Sequence, residues 1–386
     1  MLKDGTFVID AVAHCFNLTE DNFAHRGHAQ AVTDMIYGVV SAAPEGYALA
    51  EDAVKRDWAI EDTAAMLFHE SETDVAIYHP TPIMAYKDGL SAFYKGVEGV
   101  KKYPNRFLGC WASVDPLQGK AAFDLLEEQT ATLKDAGHTP YGLKLYPTSW
   151  RGEVVDSWRM DDPKIAFPLF SRAAELGIKT IGVHKAIPLG PAPTGASFHP
   201  GDVEGAAEHF PELNFEIVHG GSAFCEETAW LLGRYPNIYV NMESLNIILA
   251  NQPRTFAQIV LGLMHVGGDP VLDRMFWATG TMQYHPRPCL DMFAEFTFPE
   301  DLLGNYGLFG RISQITAEGR AKILGKNVAS YRGWDIEQLA RNIEGDEFSS
   351  GDHRMTPYST TSVADRLVSS NGHGPGSEAP APIPAA

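Results

Sequence analysis

The sequence predicts an α/β fold, a (β/α)8 barrel of the TIM type with an insertion after its first strand and a C-terminal extension. Eight short runs rich in β-branched and aromatic residues are separated by segments of helix length, in which apolar residues recur at intervals of three and four. The 386 residues are enough for one large barrel. An open doubly wound sheet is the alternative, but no Gly-x-Gly-x-x-Gly follows the first run, so the commonest signature of that fold is missing.

The predicted strands and helices alternate along the chain, which favours parallel strands with helices between them. The strands are 7–10, 74–78, 106–111, 141–146, 178–183, 214–218, 238–241 and 275–278. The helices include 58–68, 89–101, 120–136, 165–176, 226–234 and 255–265.

Two segments lie outside this alternation. About 60 residues separate the first and second strands, far more than a usual βα loop, and residues 20–46 within them are polar and contain histidines. We expect this insertion to cover the active-site face. Residues 1–346 are predicted to form the barrel and residues 347–386 a polar extension rich in Pro, Ala and Gly. Residues 371–386 have too few large apolar side chains to fold alone, so we expect them to be disordered or ordered only against a partner subunit.

The composition excludes several classes of function. Acidic residues outnumber basic ones by 49 to 30 and the formal charge is -19, which disfavours binding to nucleic acid or to an anionic membrane surface. The four cysteines form no Cys-x-x-Cys pair, so neither a disulfide framework nor a cysteine-based zinc site is expected. No export signal opens the chain and no run approaches about 18 apolar residues. We therefore expect a cytoplasmic protein.

Metal-ligating side chains collect where the predicted strands end. Because a TIM barrel builds its active site at the C-terminal ends of its strands, these side chains are expected to share one bowl. A single histidine at a strand end is more often a hydrogen-bonded rim residue than a ligand, but the grouping favours a divalent metal site, and a carboxylate beside histidines suits iron or manganese. The predicted metal ligands are His14, His79, His184, His219 and Glu243.

Two further residues are candidates for catalysis. Lys144 ends the fourth strand. As a cation it either pairs with a carboxylate at the barrel mouth or anchors a substrate carboxylate, and as a carbamylated side chain it bridges metal ions. We favour the cation over the carbamylated form. His285 follows the eighth strand and is predicted to act near the reacting position as a ligand or an acid/base, although packing against Pro286 is the simpler alternative.

At these residues the sequence resembles the amidohydrolase superfamily, specifically the amidohydrolase-2 group, which includes aminocarboxymuconate semialdehyde decarboxylase and related metal-dependent decarboxylases and hydrolases. The resemblance covers about residues 7–332. It rests on the Ile9-Asp10 strand start, Gly142-Leu-Lys144, His184, Val218-His219-Gly-Gly and the closing run at 322–329. It implies a TIM barrel with a divalent metal.

Two departures from the family pattern concern the chemistry. The usual Asp-x-His-x-His of the first strand is Asp10-Ala-Val12-Ala-His14 here, so one histidine is absent. The usual Asp after the eighth strand is replaced in Thr279-Gly280. In the family that Asp serves as a ligand and as the general base for a metal-bound water.

Two runs set the sequence apart within the superfamily, Val-Ile-Asp-Ala-Val-Ala-His at 8–14 and Thr-Gly-x-x-x-x-His-Pro at 279–286. In these runs the sequence is similar to the subunits of 2-aminoisobutyric acid hydroxylase, a multicomponent monooxygenase built from two homologous amidohydrolase-like chains. This resemblance implies a non-haem iron or mixed-metal site, a homologous barrel subunit in a hetero-oligomer, and electrons from a ferredoxin and its reductase. The favoured interpretation is therefore an oxygenase subunit that hydroxylates a small amino acid such as 2-aminoisobutyrate, with Fe or Mn. The alternatives are a hydrolase or non-oxidative decarboxylase of a small carboxylate, or a zinc-binding partner subunit without catalysis.

Overall fold

The barrel is built from short parallel strands in a computed structural model that describes residues 1–151, 154–192, 195–349 and 355–368. The strands overlap all eight predicted ones. They are β1 (Ile9–Ala13), β2 (Val75–Tyr78), β3 (Phe107–Cys110), β4 (Ala112–Ser113), β5 (Leu143–Leu145), β6 (Thr148–Arg151), β7 (Val154–Ser157), β8 (Thr180–His184), β9 (Asn214–Val218), β10 (Ile238–Asn241) and β11 (Met275–Phe276).

The strands form a ring of eight positions. Strands β1, β2 and β3 pair in order, and β4, β5, β8, β9, β10 and β11 pair in a second series, with every neighbour parallel. Only Trp111 separates β3 from β4, so together they make the third position. At the other seam the amide of Ala11 donates to the carbonyl of Trp277 at 2.9 Å, and the amide of His14 donates to that of Thr281 at 2.8 Å. These bonds close the predicted barrel.

Helices surround the ring, and they overlap all six predicted helices. They are α1 (Arg26–Ser41), α2 (Glu51–Val54), α3 (Ile60–Ala64), α4 (Phe93–Lys102), α5 (Lys120–Asp135), α6 (Ala166–Glu175), α7 (Asp202–His209), α8 (Cys225–Arg234), α9 (Leu245–Asn251), α10 (Pro253–Met264), α11 (Pro286–Ala294), α12 (Glu300–Leu303), α13 (Ala317–Ala321), α14 (Asn327–Arg332) and α15 (Ile336–Ile343). Among the described residues, none of these helices is long and apolar enough to cross a membrane.

Strand alternation separates the apolar core from the polar barrel interior. Leu143 and Ile181 belong to a large buried cluster that includes residues of the surrounding helices. The opposite face of these strands points into the barrel interior, where Lys144 of β5, Gly182 of β8 and Glu216 of β9 are paired side by side. The fold therefore places a buried cation and a buried carboxylate in one layer of the barrel.

The segment between β1 and β2 packs against the C-terminal extension of the same chain. Glu70 accepts hydrogen bonds from the backbone amide and the hydroxyl of Thr360, at 2.7 and 2.6 Å, and from the amide of Tyr358 at 2.5 Å. The amide of Val368 donates to the carbonyl of Ala48. Residues 355–368 thus pack on their own barrel, whereas the segment 371–386, for which we expected disorder or a partner, lies outside the described residues. The antiparallel hairpin of β6 and β7 was not predicted.

Candidate metal centre

Three predicted ligands meet at the C-terminal mouth of the barrel. His14, His79 and Glu243 are buried and each offers one ligand atom, with these atoms all within 4.8 Å of one another. Nε2 of His14 lies 2.8 Å from Oε1 of Glu243. The three residues follow different strands, and the two most distant, His14 and Glu243, are 229 residues apart in the chain. The barrel topology alone brings them together.

The hydrogen bonds of His14 fix which of its ring nitrogens carries a proton. Nδ1 lies 2.6 Å from the carbonyl oxygen of His79, and a carbonyl can only accept, so Nδ1 is the donor. A neutral imidazole then turns the lone pair of Nε2 toward the Glu243 carboxylate. Two acceptors facing each other need a cation or a proton between them. Donation of the second ring N–H to a backbone carbonyl is the usual arrangement of a metal-ligating histidine.

His184 and His219 show the same arrangement. Nδ1 of His219 donates to the carbonyl of Glu243 at 3.1 Å, and Nε2 of His184 donates to the carbonyl of Ile187. The two remaining ring nitrogens face each other at 3.0 Å with their lone pairs. Burial holds the pKa of His184 well below its usual value and lowers that of His219 to about 4, so both rings are neutral. These two facing acceptors, like the pair of His14 and Glu243, are an arrangement that a shared cation would satisfy.

Unpartnered polar atoms adjoin these histidines. Among the described residues, neither ring nitrogen of His79 and not the Nζ of Lys144 has a hydrogen-bond partner, although both side chains are fully buried. Burial lowers the pKa of Lys144 to about 8, against the attraction of Glu243 and Glu216. The donor set and the orphaned His79 nitrogens fit a bound divalent ion. Within the described part of the chain, Nζ of Lys144 thus has no hydrogen bond to a carboxylate at the barrel mouth, which was one of the roles considered for it.

Glu243 is the anionic centre of the group. Burial opposes its ionisation, but the His219 and His14 rings, when they carry a second proton, and the Lys144 ammonium outweigh burial and hold the pKa of its carboxyl well below the usual value. The amide of Gln283 also donates to its Oε1 at 3.2 Å. Glu243 is therefore an ionised carboxylate that a cation can share with His14.

Backbone strain gathers around this mouth. Ala186, His219 and Ser244 have φ values of 69°, 66° and 64°, which side-chain-bearing residues rarely adopt. Each lies at or just after the end of a strand that carries a predicted ligand. Such strain persists where the surrounding structure enforces it, and it clusters at functional sites.

The loop after β11 occupies the place of the missing carboxylate. Thr279 donates its backbone amide, at 3.0 Å, and its hydroxyl to Asp10. Gly280 has φ of 61° and packs so closely that an added Cβ would lie 2.9 Å from Cγ of Glu243. Asp10 therefore ties this loop to β1, and the loop presses on Glu243 without supplying a ligand of its own.

The structure does not bring His285 to this group. Its Nε2 lies 2.9 Å from Oε2 of Glu70, and its Nδ1 accepts from the amide of Arg287 at 3.3 Å, as the N-cap of α11. Both ring nitrogens are occupied and the ring is fully buried beside Tyr47 and Tyr358. In this position His285 joins α11 to the C-terminal segment.

Sequence reasoning missed two buried polar residues of the barrel interior. Asn241 ends β10, and Glu216 lies on β9 with its pKa raised by burial to about 7. Their signal was present in the strand runs, since each is a polar residue in an otherwise apolar strand.

Comparison with known proteins identifies the family. Residues 96–329, more than half of the chain, match the family model described as amidohydrolase. No protein of curated function matches the chain by sequence.

Solved structures match the barrel as a whole. An uncharacterized TIM-barrel protein from Bordetella bronchiseptica aligns with a TM-score of 0.58 and 16% identity, over 86% of this chain and 99% of that one. A 2,6-dihydroxybenzoate decarboxylase with bound 2,6-dihydroxybenzoate aligns at 0.51 and 16%, over 84% and 98%. A variant of 5-carboxyvanillate decarboxylase from Novosphingobium aromaticivorans, with bound manganese, aligns at 0.51 and 14%, over 85% and 97%. These likenesses confirm the predicted barrel, and with the match to the family model they lead to one conclusion: the chain belongs to the amidohydrolase family.

Proposed function

We propose that this protein is a metal-dependent enzyme that holds one or two divalent ions between His14, His79 and Glu243 and the adjoining pair His184 and His219. One observation carries the proposal. The rings of His14, His184 and His219 each donate one N–H to a backbone carbonyl. The other nitrogen of each ring therefore points its lone pair at another acceptor, and only a cation or a proton between the two acceptors makes this contact favourable.

The reaction that we propose is non-oxidative decarboxylation of a small carboxylate. Hydrolysis needs a base for water, and the loop at Thr279 and Gly280 offers no carboxylate. Two structural neighbours with a TM-score above 0.5 are decarboxylases, which supports this choice by analogy of fold.

Lys144 has the central role in this reaction. Its ammonium, which has no hydrogen-bond partner among the described residues, pairs with the substrate carboxylate. A divalent ion held by the histidines and Glu243 would supply Lewis-acid polarisation of the substrate. When the carbon–carbon bond breaks, its electron pair stays on the substrate carbon and CO2 leaves. With a pKa near 8, Lys144 is protonated at neutral pH, and its Nζ can return a proton to that carbon.

A second candidate is the oxygenase subunit, and the ligand set favours it. Two imidazoles and one carboxylate are the ligands typical of non-haem Fe(II) oxygenases. In this case the substrate is a small amino acid such as 2-aminoisobutyrate. A homologous barrel subunit, a ferredoxin and a reductase then act as partners.

Metal analysis combined with two assays distinguishes the candidates. Protein purified aerobically from cells supplied with iron, manganese and zinc is analysed for metal, and CO2 release from small carboxylic acids is compared with O2 consumption. The proposal expects about one to two ions per chain and CO2 release without O2. Iron with O2 consumption favours the oxygenase, and zinc without turnover favours the non-catalytic partner subunit.

Histidine variants assign the metal to this site. His184→Ala and His219→Ala should each lose most of the metal while the barrel stays folded, because the core lies in the strand interiors. His209→Ala removes an exposed imidazole from α7 and is the matched control. Full metal retention in both site variants contradicts the proposal.

A further inference from the structure

Asn241 is hydrogen-bonded to the backbone of two predicted ligands at once. Its Oδ1 accepts from the amide of His219 at 3.3 Å and from the amide of Glu243 at 3.2 Å. Its Nδ2 donates to Oε1 of Glu216 at 2.5 Å. Asn241 and Glu216 are both buried, with 0% and 1% of their surfaces exposed. The amide thus connects two strand ends and one side chain inside the barrel.

Glu216 fixes which way round the Asn241 amide lies. A carboxylate accepts hydrogen bonds, so it selects the NH2 end of the amide, and the carbonyl end must then face the two backbone amides. A flipped amide would point N–H groups at the two backbone N–H groups and its oxygen at Oε1 of Glu216, so Glu216 and the backbone select the same orientation. Burying a carboxylate is unfavourable unless its hydrogen bonds compensate, so its presence in the barrel calls for a reason.

Of the two backbone positions that Asn241 holds, one is strained and the other adjoins a strained residue. His219 itself has φ of 66°, and Ser244, with φ of 64°, directly follows Glu243. Residues in this region keep their conformation only where neighbouring contacts enforce it. The hydrogen bonds to Oδ1 of Asn241 are such contacts, one on each strained segment.

We propose that Glu216 and Asn241 form a positioning pair that sets the backbone at His219 and Glu243 and so aims their side chains at the metal. This inference rests on the proposed function, because it presumes a metal at the mouth. Neither residue needs to touch the ion. Partners of this outer kind commonly change metal affinity by about 10- to 100-fold.

The test is a Co(II) titration of the full-length protein, followed by visible absorption, which reports ligand geometry around cobalt. Glu216→Leu removes the acceptor at similar volume and should weaken Co(II) binding by about 10- to 100-fold and alter the absorption bands. Glu216→Gln keeps an oxygen for the Asn241 amide and should bind as the wild type does. This contrast separates hydrogen bonding from packing.

A reversed pair adds a rescue experiment. Asn241→Asp places two carboxyl groups face to face and should weaken Co(II) binding. Combining it with Glu216→Gln lets the new amide donate to Asp at 241, whose other oxygen still accepts the two backbone amides, so most of the lost affinity should return. Asn237→Asp is the control, because Asn237 lies just before β10 and donates to backbone carbonyls, among them that of Leu213 at 3.0 Å, but has no hydrogen bond to a predicted ligand. It should change thermal stability and leave the cobalt spectrum unchanged.

Two results overturn the inference, and they are distinguishable. If the wild type binds Co(II) and Glu216→Leu binds it with the same affinity and spectrum, the positioning role is wrong while the proposed function stands. If the wild type binds no Co(II), the proposed metal centre is itself wrong.

Discussion

Gly280→Ala tests how tightly the loop after β11 encloses Glu243. Gly280 has φ of 61°, and an alanine there pays the left-handed penalty of about 1–2 kcal/mol. Its Cβ would also lie 2.9 Å from Cγ and 3.0 Å from Oε1 of Glu243, where ordinary contact begins at 3.4 Å. Glu243 must therefore retreat by about 0.5 Å, which exceeds the tolerance of about 0.2 Å for metal–ligand distances.

Gly333→Ala is the matched control for this substitution. Gly333 has φ of 66° and nothing lies within 4 Å of the added Cβ, so only the backbone penalty applies. In urea unfolding both variants should lose about 1–2 kcal/mol, and Gly280→Ala somewhat more. In a Co(II) or Mn(II) titration only Gly280→Ala should bind more weakly, by about 10- to 100-fold. Equal metal affinity in the two variants would refute the reasoning.

Three further outcomes are expected. His79→Ala should lose most of its bound metal with an unchanged far-ultraviolet circular dichroism spectrum, because among the described residues its ring has no hydrogen bond to lose; normal metal content contradicts this. Lys144→Met should keep its metal, raise KM by on the order of 10- to 100-fold because the substrate carboxylate loses its anchor, and lower kcat by about 100-fold or more because the proton donor is gone; metal loss would instead indicate a carbamylated bridging lysine. Burial lowers the pKa of His285. Below about pH 6.5 the unfolded chain therefore binds a proton that the folded chain does not, and the free energy of unfolding decreases as the pH is lowered. The loss of stability between about pH 7 and about pH 5 should be smaller in His285→Asn, which keeps an acceptor at the N-cap. An equal loss in the variant would show that His285 is not the group responsible.

The sequence was sufficient to predict the barrel and the gathering of the candidate ligands. Parallel strands end on one face, so residues at strand ends such as His79, His184 and His219 share a mouth whatever their separation in the chain. Neighbouring strands β8 and β9 made the contact between His184 and His219 foreseeable as well.

The hydrogen-bond partners could not be predicted, because they depend on long-range packing. The orientation of His285 depends on Glu70, 215 residues away, and this contact draws the ring out of the mouth toward the C-terminal segment. Asn241 and Glu216 stand out in the sequence as polar residues in apolar strands, but their hydrogen bond to each other, across 25 residues, could not be predicted from it. The eighth strand was the right element but has only the two residues Met275–Phe276, since the chain turns early into the loop that Asp10 holds.

X-ray absorption at the edge of the bound metal tests the central claim most directly. In the wild type the account predicts nitrogen and oxygen neighbours with the outer-shell scattering of imidazole rings, and reduced imidazole scattering for whatever metal His79→Ala retains. Wild-type protein that holds a metal with no imidazole scattering, or that holds no metal after growth with iron, manganese and zinc, would contradict the assignment of this barrel mouth as a metal centre.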